Sequence, residues 1–312
     1  MPRSEPKLEP EPGLSAAELA AYRRRGYLLL PLRFVDAVPA LRRAVEAMLS
    51  PAVLGSVCTA NPRIDFDPGE LLKMVEPCLD ISPALSAFAA SDAVQPIFRA
   101  LFGGEAPQLY EDKVHMKLPT GDTTQSMEGT GAFPWHQDRV FWSTYSPRLA
   151  TLVVYLDNAT EANGALSVLP HPPGEGQELP HVPAQNFPLE LAPAALAAAG
   201  APETAVLPAG SAVLFDCMTP HASLPNVSSS PRRSLFLSYN PASDGDGYRV
   251  LSETEPLYSV GSHNLGHLAH HKIDAWETWR RAGEPRDSGA GGAALIWGEG
   301  KDKRQGGTGS RL

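Results

Sequence analysis

The stretch Ser211-Ala-Val-Leu-Phe-Asp-Cys217, preceded by Pro208-Ala-Gly210, has the composition of a buried β-strand. It is one of several short β-rich segments, separated by glycine and proline, that begin near residue 108. Since these segments do not alternate with long helices, they favour an antiparallel jelly roll over a parallel α/β fold. We therefore predict a mainly β protein with flanking helices and a double-stranded β-helix core of the jelly-roll, cupin-like kind. The other predicted strands are Leu109–Leu118, Ala132–Val140, Leu149–Leu156, Ala165–Leu169, Ala205–Leu207 and Arg232–Asn240.

A helical block precedes these strands. Ser15-Ala-Ala-Glu18 is a capping box that starts a helix through Arg25, and Gly26 ends it before a short strand, Tyr27–Leu30. Apolar periodicity predicts further helices over Phe34–Leu49 and, as a pair hinged near Ser91-Asp92, over Ser82–Phe102. We expect a disordered tail (1–13), one jelly-roll domain including the helical block (14–282) and a flexible tail (283–312), with a loop at 121–131 and a last helix at 270–282.

The charge and cysteine content favour a small-molecule enzyme. The formal net charge of −9 and the absence of a basic run longer than Arg23-Arg24-Arg25 argue against nucleic acid or a membrane as partner. Three cysteines without C-x-x-C spacing, together with an amino terminus lacking an apolar signal segment, predict a cytoplasmic protein with reduced thiols. We expect a monomer or a homodimer.

The stretch Trp135-His136-Gln137-Asp138 carries the first half of a candidate metal site. On an extended strand alternate side chains share a face, so His136 and Asp138 point together while Gln137 points away. An imidazole nitrogen and a carboxylate oxygen at this spacing can occupy adjacent positions on a metal. With a second histidine they form the two-histidine, one-carboxylate face that suits Fe(II) oxygenases.

The second half follows the strand that opened this section. Thr219-Pro-His221-Ala-Ser223 supplies a distal histidine, and Arg232 opens the next strand eleven residues after His221. The planar guanidinium of an arginine binds a carboxylate through two hydrogen bonds, and 2-oxoglutarate has a distal carboxylate that needs such a partner. The alternative, a surface histidine followed by a solvated arginine pair, does not explain why both halves occur together.

Taken in order, these motifs resemble the phytanoyl-CoA dioxygenase family of Fe(II)/2-oxoglutarate oxygenases, and the resemblance extends over roughly residues 14–242. The opening LSAAELAAYRRRGYLLLP at 14–31 is similar to that family's first helix and strand. The loop Pro170-His-Pro-Pro-Gly174 departs from the family's usual Gly-Ser-His, so no role is transferred to it. The motifs that carry the resemblance are WHQD at Trp135–Asp138, NGALSVLP at Asn163–Pro170, PAGSAVLFD at Pro208–Asp216 and H-x-S-x-x-N-x-S-x-x-x-R from His221 to Arg232.

The resemblance implies a role for each matching position. It assigns the iron to His136, Asp138 and His221. It implies O2 as oxidant, with 2-oxoglutarate converted to succinate and CO2 while a substrate C–H bond is oxidised. The co-substrate contacts implied are Arg232 for the far carboxylate, Ser223, Lys113 and Lys73.

The resemblance also narrows the reaction without fixing the substrate. Related halogenases have a small residue where Asp138 stands, so hydroxylation of a small molecule, for example in secondary metabolism, is favoured over halogenation. Cyclisation, desaturation and epimerisation remain alternatives. A non-catalytic jelly-roll binding protein is the alternative of another class, against which the intact ligand set and Arg232 count. Aromatic residues that could line the substrate pocket are Phe141, Trp142 and Tyr145.

Four histidines near the carboxyl terminus form a second cluster: His263, His267, His270 and His271. Zinc binding would suit residues of this type, but no cysteine is near and Asp274 is the one close acidic residue. A polar surface segment is the competing interpretation, and the sequence leaves the role of the cluster open.

Overall fold

The structure is a computed structural model that describes residues 13–48, 64–67, 71–76, 78–79, 82–119, 132–141, 146–170, 176–184 and 189–244. Within these ranges it contains five α-helices: α1 (Ala16–Arg25), α2 (Val38–Met48), α3 (Pro83–Ala89), α4 (Gln95–Leu101) and α5 (Pro193–Ala198). The strands of the same ranges are β1 (Tyr27–Leu30), β2 (Ile64–Asp67), β3 (Leu71–Val75), β4 (Pro107–Lys117), β5 (Phe133–His136), β6 (Ala150–Tyr155), β7 (Leu166–Val168), β8 (His181–Pro183), β9 (Leu189–Leu191), β10 (Glu203–Thr204), β11 (Ala212–Asp216), β12 (His221–Ser223) and β13 (Arg232–Pro241).

The strands form two principal antiparallel sheets. In the described part of the chain, the larger has the order β1-β11-β6-β13-β4-β3-β2 and the smaller has the order β10-β7-β12-β5, while β8 and β9 form a separate hairpin. This arrangement confirms the predicted mainly β fold with a jelly-roll core. It also explains why the β-rich segments do not alternate with long helices: the strands are antiparallel, and most of them pair with neighbours distant in the chain.

The larger sheet buries both of its faces, and alternate residues of one strand serve different cores. In β6, Leu152 and Val154 belong to the core formed with α2, α3 and α4. The intervening Val153 and Tyr155 face the other way and pack with Leu166 and neighbouring residues of the smaller sheet. A strand buried on both faces has no polar side to display, which accounts for its continuous apolar composition.

The amino-terminal helix has the predicted boundaries. The Ser15 hydroxyl accepts from the Glu18 backbone N–H, while the Glu18 carboxylate accepts from the Ser15 backbone N–H at 2.7 Å. These bonds satisfy donors that the first turn leaves without helical partners. Gly26 ends the helix with φ of +79°, a left-handed conformation that glycine adopts without a Cβ clash. The chain then enters β1 directly beside β11.

Three predicted elements differ from the structure. The helix predicted from Phe34 begins as a 3-10 turn, and α2 starts at Val38, because Pro39 lacks the N–H that would continue a helical ladder. The strand predicted over Ala132–Val140 ends at His136 and is followed by a 3-10 turn at Asp138–Val140. In place of a strand at Ala205–Leu207, the pairing with β7 is made by β10, and Leu207 forms an isolated bridge with Ala159.

The predicted helix pair at Ser82–Phe102 is confirmed, with residues 90–94 between α3 and α4. The strands β2, β3, β8, β9 and β12 were not predicted; each has three to five residues, too few for a clear period-two pattern. Apart from Gly13, both predicted tails lie outside the described residues, as do the loop at 121–131 and the helix at 270–282. The single-domain prediction for 14–282 stays a prediction. Among the described helices, none is both long and apolar enough to cross a membrane.

Candidate metal centre and co-substrate pocket

Three side chains converge where β5 and β12 meet: one from each strand and one from the 3-10 turn that follows β5. His136 ends β5 and pairs in register with His221 at the start of β12, so their rings lie 4.2 Å apart. Gln137 keeps an extended backbone (φ −112°, ψ 135°), which brings Asp138 to the same side as His136. The Asp138 Oδ1 lies 3.8 Å from His136 Nε2 and 3.5 Å from His221 Nε2. All three candidate ligand atoms lie within 4.8 Å of one another and could hold a metal ion.

Backbone carbonyls orient both imidazoles. His136 Nδ1 lies 2.7 Å from the Pro134 carbonyl oxygen, and His221 Nδ1 lies 3.0 Å from that of Thr219. Because a carbonyl oxygen only accepts, each Nδ1 carries the proton and donates it, which leaves the Nε2 lone pair directed at Asp138. This is the tautomer in which a histidine binds a metal through Nε2. The donor set therefore fits a divalent transition metal in chemistry as well as in spacing.

Burial favours the uncharged form of these groups. Desolvation lowers the pKa of His136 well below its usual value, and the nearby His221 lowers it further, so the imidazole stays neutral. Desolvation raises the pKa of Asp138, an effect that His221 opposes. The charges of Glu111 and Lys113 also act on Asp138, with opposite signs. A bound cation would offset the cost of burying the Asp138 carboxylate.

The triad opens onto a cavity of about 70 Å³ between the two sheets. The larger sheet supplies most of its wall through β4, β6 and β13, while the smaller sheet supplies β5, β7 and β12. Several of the side chains in this wall are charged. The lining residues are Glu111, Lys113, His115, Phe133, His136, Asp138, Thr151, Val153, Tyr155, Leu166, Phe215, His221, Ser223, Arg232 and Phe236.

Arg232 lines the cavity and is 4% exposed. Its guanidinium donates to the carbonyl oxygens of Asn163 (3.3 Å) and Gly164 (3.0 Å), and lies 5.2 Å from the ring centre of Tyr155. These contacts fix the side chain without neutralising it. The neighbouring Arg233 points away and binds the Asp157 carboxylate through Nε and Nη2.

Lys117 lies beside Arg232 and was not predicted as part of the site. It pairs in register with Arg232, is 1% exposed, and donates from Nζ to the Ser223 hydroxyl at 2.5 Å. Burial, and then the charge of Arg232, lower the pKa of Lys117 well below its usual value. Among the described residues, neither Lys117 nor Arg232 forms an ion pair with a carboxylate. Two buried basic side chains beside one hydroxyl could hold an anion, whose charge would favour the ammonium form of Lys117.

Gly164 leaves the space that the Lys117 side chain occupies. Its φ is +70°, and a Cβ built there would lie 2.3 Å from the Leu224 carbonyl oxygen and 2.7 Å from Lys117 Cε. No other residue type fits without moving the lysine or the chain beside it. The glycine of the NGAL motif therefore serves the close packing of the Lys117 side chain.

Gln137 binds the segment at residues 177–181 through hydrogen bonds, beside the end of β5. It is fully buried and donates from Nε2 to the carbonyl oxygens of Gln177 (2.8 Å) and Met218. Its Oε1 accepts from the Leu179 backbone N–H at 2.7 Å, and its own backbone N–H donates to His181 Nε2 at 3.3 Å. The residue between the two candidate ligands thus has a structural use of its own.

The remaining predicted site residues lie elsewhere or outside the description. Phe141 packs against Tyr110, Leu149 and Cys217, with its ring 5.9 Å from that of His136. Lys73 belongs to β3 by its backbone, but its side chain lies outside the described residues, as do Trp142, Tyr145 and the four carboxyl-terminal histidines.

Comparison with known proteins agrees with this fold. The structure of EctD from S. alaskensis, solved with 2-oxoglutarate and 5-hydroxyectoine, aligns with a TM-score of 0.60 at 25% identity, covering 78% of this chain and 83% of that chain. L-proline trans-4-hydroxylase of Streptomyces griseoviridis is 28% identical over 73% of this chain and 87% of its own length. Ectoine dioxygenase of Stutzerimonas stutzeri is 29% identical over 72% and 76%.

Fold, site chemistry and relatives define this protein as a non-haem dioxygenase that uses iron and 2-oxoglutarate. The family model for phytanoyl-CoA dioxygenase matches residues 11–234. The chain belongs to the phytanoyl-CoA dioxygenase family. The enzyme prediction is thereby confirmed over the alternative of a non-catalytic binding protein.

Proposed function

We propose that this enzyme hydroxylates an unactivated C–H bond of a small polar molecule, using His136, Asp138 and His221 as its iron ligands. The observation that carries the proposal is the convergence of their Nε2 and Oδ1 atoms in the wall of a cavity that Arg232 also lines. The overall reaction converts 2-oxoglutarate, O2 and R–H into succinate, CO2 and R–OH.

The protein's own part in the metal site is to orient the three ligand side chains towards one point. Bound iron supplies the activation of O2. The Pro134 and Thr219 carbonyls keep the imidazoles turned with Nε2 towards Asp138. Phe215 packs against the His221 ring at 4.6 Å between centroids and restricts its rotation. Ordered ligands of this kind reduce the entropic cost of metal binding.

The co-substrate's far carboxylate binds Arg232, Ser223 and Lys117 in this proposal. Arg232 is held by backbone carbonyls, so it presents a fixed cation, and Lys117 adds a second charge beside the Ser223 hydroxyl. One carboxylate can neutralise part of both buried charges, which an uncharged ligand cannot do. The contact predicted for Lys73 stays a prediction.

The substrate proposal draws on the relatives and on the pocket. L-proline trans-4-hydroxylase and ectoine dioxygenase are named for two small, charged substrates. A cavity with charged side chains in its wall suits a small polar ligand better than a long apolar chain. Phe141, Trp142 and Tyr145 remain proposed contacts for the substrate. A role in secondary metabolism, and a cyclised, desaturated or epimerised product instead of an alcohol, remain alternatives for product analysis.

Succinate formation tests the proposal. Purified protein with Fe(II), 2-oxoglutarate and a panel of small amino acids and cyclic amino acid derivatives should form succinate and one oxidised product per turnover. His136→Ala should abolish formation of both, and Arg232→Ala should raise KM for 2-oxoglutarate. Exposed Arg99 provides the matched control, since Arg99→Ala removes an arginine on α4 far from the cavity wall. Substrate-stimulated turnover that survives His136→Ala would contradict the metal assignment.

A further inference from the structure

A buried ion pair lies in the cavity wall away from Arg232. Lys113 Nζ donates to Glu111 Oε1 at 2.8 Å, and the two side chains are 7% and 2% exposed. The Ser238 hydroxyl donates to Glu111 Oε2 at 3.3 Å and also bonds Thr151 at 2.9 Å. Four polar side chains from β4, β13 and β6 thus form a connected group.

Packing alone gives no reason for charges at this place. Burying two ions costs more than their attraction commonly returns, and apolar residues of the same volume are often as stable. On the opposite face of the same sheet, Val114, Leu152 and Leu237 provide the apolar alternative. The pair faces the cavity and lies close enough to Asp138 for both charges to act on it. This placement fits contact with a ligand beside the metal.

The pair is also distant from the end assigned to the co-substrate's far carboxylate. Along β4, Lys113 is four residues from Lys117, or about 13 Å at the rise of an extended strand, and Glu111 is about 20 Å from it. The carboxylate held by Arg232 is therefore out of reach of Glu111. The wall therefore provides two charged regions that are separated along β4.

We propose that Lys113 and Glu111 recognise the substrate as a small zwitterion, with Lys113 binding its acidic group and Glu111 binding its ammonium group. The inference rests on the proposed function, of which it specifies the substrate class. A zwitterion beside the pair adds one charge of each sign, so charges alternate and neither protein group loses its neutralisation. A singly charged ligand would leave one of the two groups with a like charge nearby. This assignment replaces the co-substrate role predicted for Lys113.

Anaerobic calorimetry on the Fe(II)- and 2-oxoglutarate-loaded enzyme tests the inference. The probes are L-proline, ectoine and 2-aminoethylphosphonate, with L-prolinamide, N-acetyl-L-proline and ethylphosphonate as analogues that lack one charge. At least one zwitterion should bind about 10-fold or more tightly than its analogues. Equal or tighter binding of the analogues, or no binding of any zwitterion, overturns the inference. Binding of 2-oxoglutarate is titrated first, so its failure points to the proposed function instead.

Variants identify the residues. Glu111→Gln should remove the preference for L-proline over N-acetyl-L-proline. Lys113→Met should remove the preference for L-proline over L-prolinamide. Lys113→Arg should keep part of that second preference, because arginine retains the positive charge. If another of the zwitterions binds more tightly than L-proline, the variants are tested with that zwitterion and with an analogue of it that lacks one charge. If Lys113→Met instead weakens the binding of 2-oxoglutarate about 10-fold and leaves the preference for L-proline intact, Lys113 belongs to the co-substrate site and the inference is overturned.

A double variant keeps the test valid if single variants unfold. Glu111→Leu with Lys113→Met removes both charges and leaves an apolar wall, which we expect to fold at least as stably as the wild type. Thermal unfolding checks this, and the folded double variant should bind zwitterions and analogues alike. A folded double variant that still prefers zwitterions contradicts the inference.

Discussion

Replacing Lys117 by methionine should weaken 2-oxoglutarate binding without destabilising the ligand-free protein. Methionine keeps the length of the lysine stem beside Gly164 and removes the ammonium group. The substitution breaks one hydrogen bond, to the Ser223 hydroxyl, and it removes a buried charge that no carboxylate pairs in the described structure. The unfolding temperature of the ligand-free variant should therefore equal or exceed that of the wild type.

The expected decrease in affinity follows from one charge-assisted hydrogen bond. Such a bond contributes about 1.5–3 kcal/mol, which corresponds to about a 10- to 150-fold rise in Kd for 2-oxoglutarate. At a ligand concentration about 100 times the wild-type Kd, binding stabilises the wild type by about 2.7 kcal/mol. A variant with a Kd raised about 100-fold would be stabilised by only about 0.4 kcal/mol under the same conditions.

Thermal unfolding with and without 2-oxoglutarate, in the presence of anaerobic Fe(II), measures this difference. The ligand should raise the unfolding temperature of the wild type by about 5–10 °C and that of Lys117→Met by about 1–2 °C. Arg99→Met, an exposed substitution of similar chemistry, should behave as the wild type. Equal ligand-induced shifts in Lys117→Met and the wild type would refute the assignment of Lys117 to the co-substrate.

The same residue predicts a pH dependence. Burial and Arg232 lower the pKa of Lys117, so its ammonium form, which attracts a carboxylate, is present below that pKa and disappears as pH rises through it. Affinity for 2-oxoglutarate should fall with rising pH in the wild type, and this slope should be smaller in Lys117→Met. Calorimetric titrations across pH provide the measurement, and identical slopes would contradict the prediction.

Three further substitutions test the framework around the site. Gly164→Ala should lower the free energy of unfolding in urea by more than Gly200→Ala does. Both glycines have positive φ, but of the two only Gly164 has atoms within 4 Å of the added Cβ. Equal destabilisation by the two substitutions would contradict this. Gln137→Leu should cost about 1–3 kcal/mol and speed hydrogen exchange at residues 177–183, which unchanged exchange would refute. Leu214→Ala, fully buried, should cost about 2–5 kcal/mol, against less than about 0.5 kcal/mol for exposed Leu224→Ala.

Much of the fold was predictable because its signals are local. The Ser15 capping box, the left-handed Gly26 and the apolar runs of β6 and β11 each depend on neighbouring residues alone. The short strand β12 has no such signal: its three residues become a strand only because β5 and β7 lie on either side. Register between distant strands is the information that local composition lacks.

The candidate site, like the fold, was predictable where its signals are local and not where it depends on strand register. The spacing of His136 and Asp138 predicted a shared direction, and it holds although the strand ends between them, because Gln137 stays extended. Lys117 and Lys113 lie on the same face of β4, and composition cannot tell which of them reaches Ser223. Pairing of Lys117 with Arg232 decides it, and that pairing depends on the register of two strands more than a hundred residues apart.

The most direct test of the central claim is the position of the iron. Crystals grown anaerobically with Fe(II) and 2-oxoglutarate, measured at the iron absorption edge, should give one anomalous peak bonded to His136 Nε2, His221 Nε2 and Asp138 Oδ1. The co-substrate should extend from that peak towards Arg232. An iron peak away from these three atoms in a catalytically active crystal preparation would contradict the account.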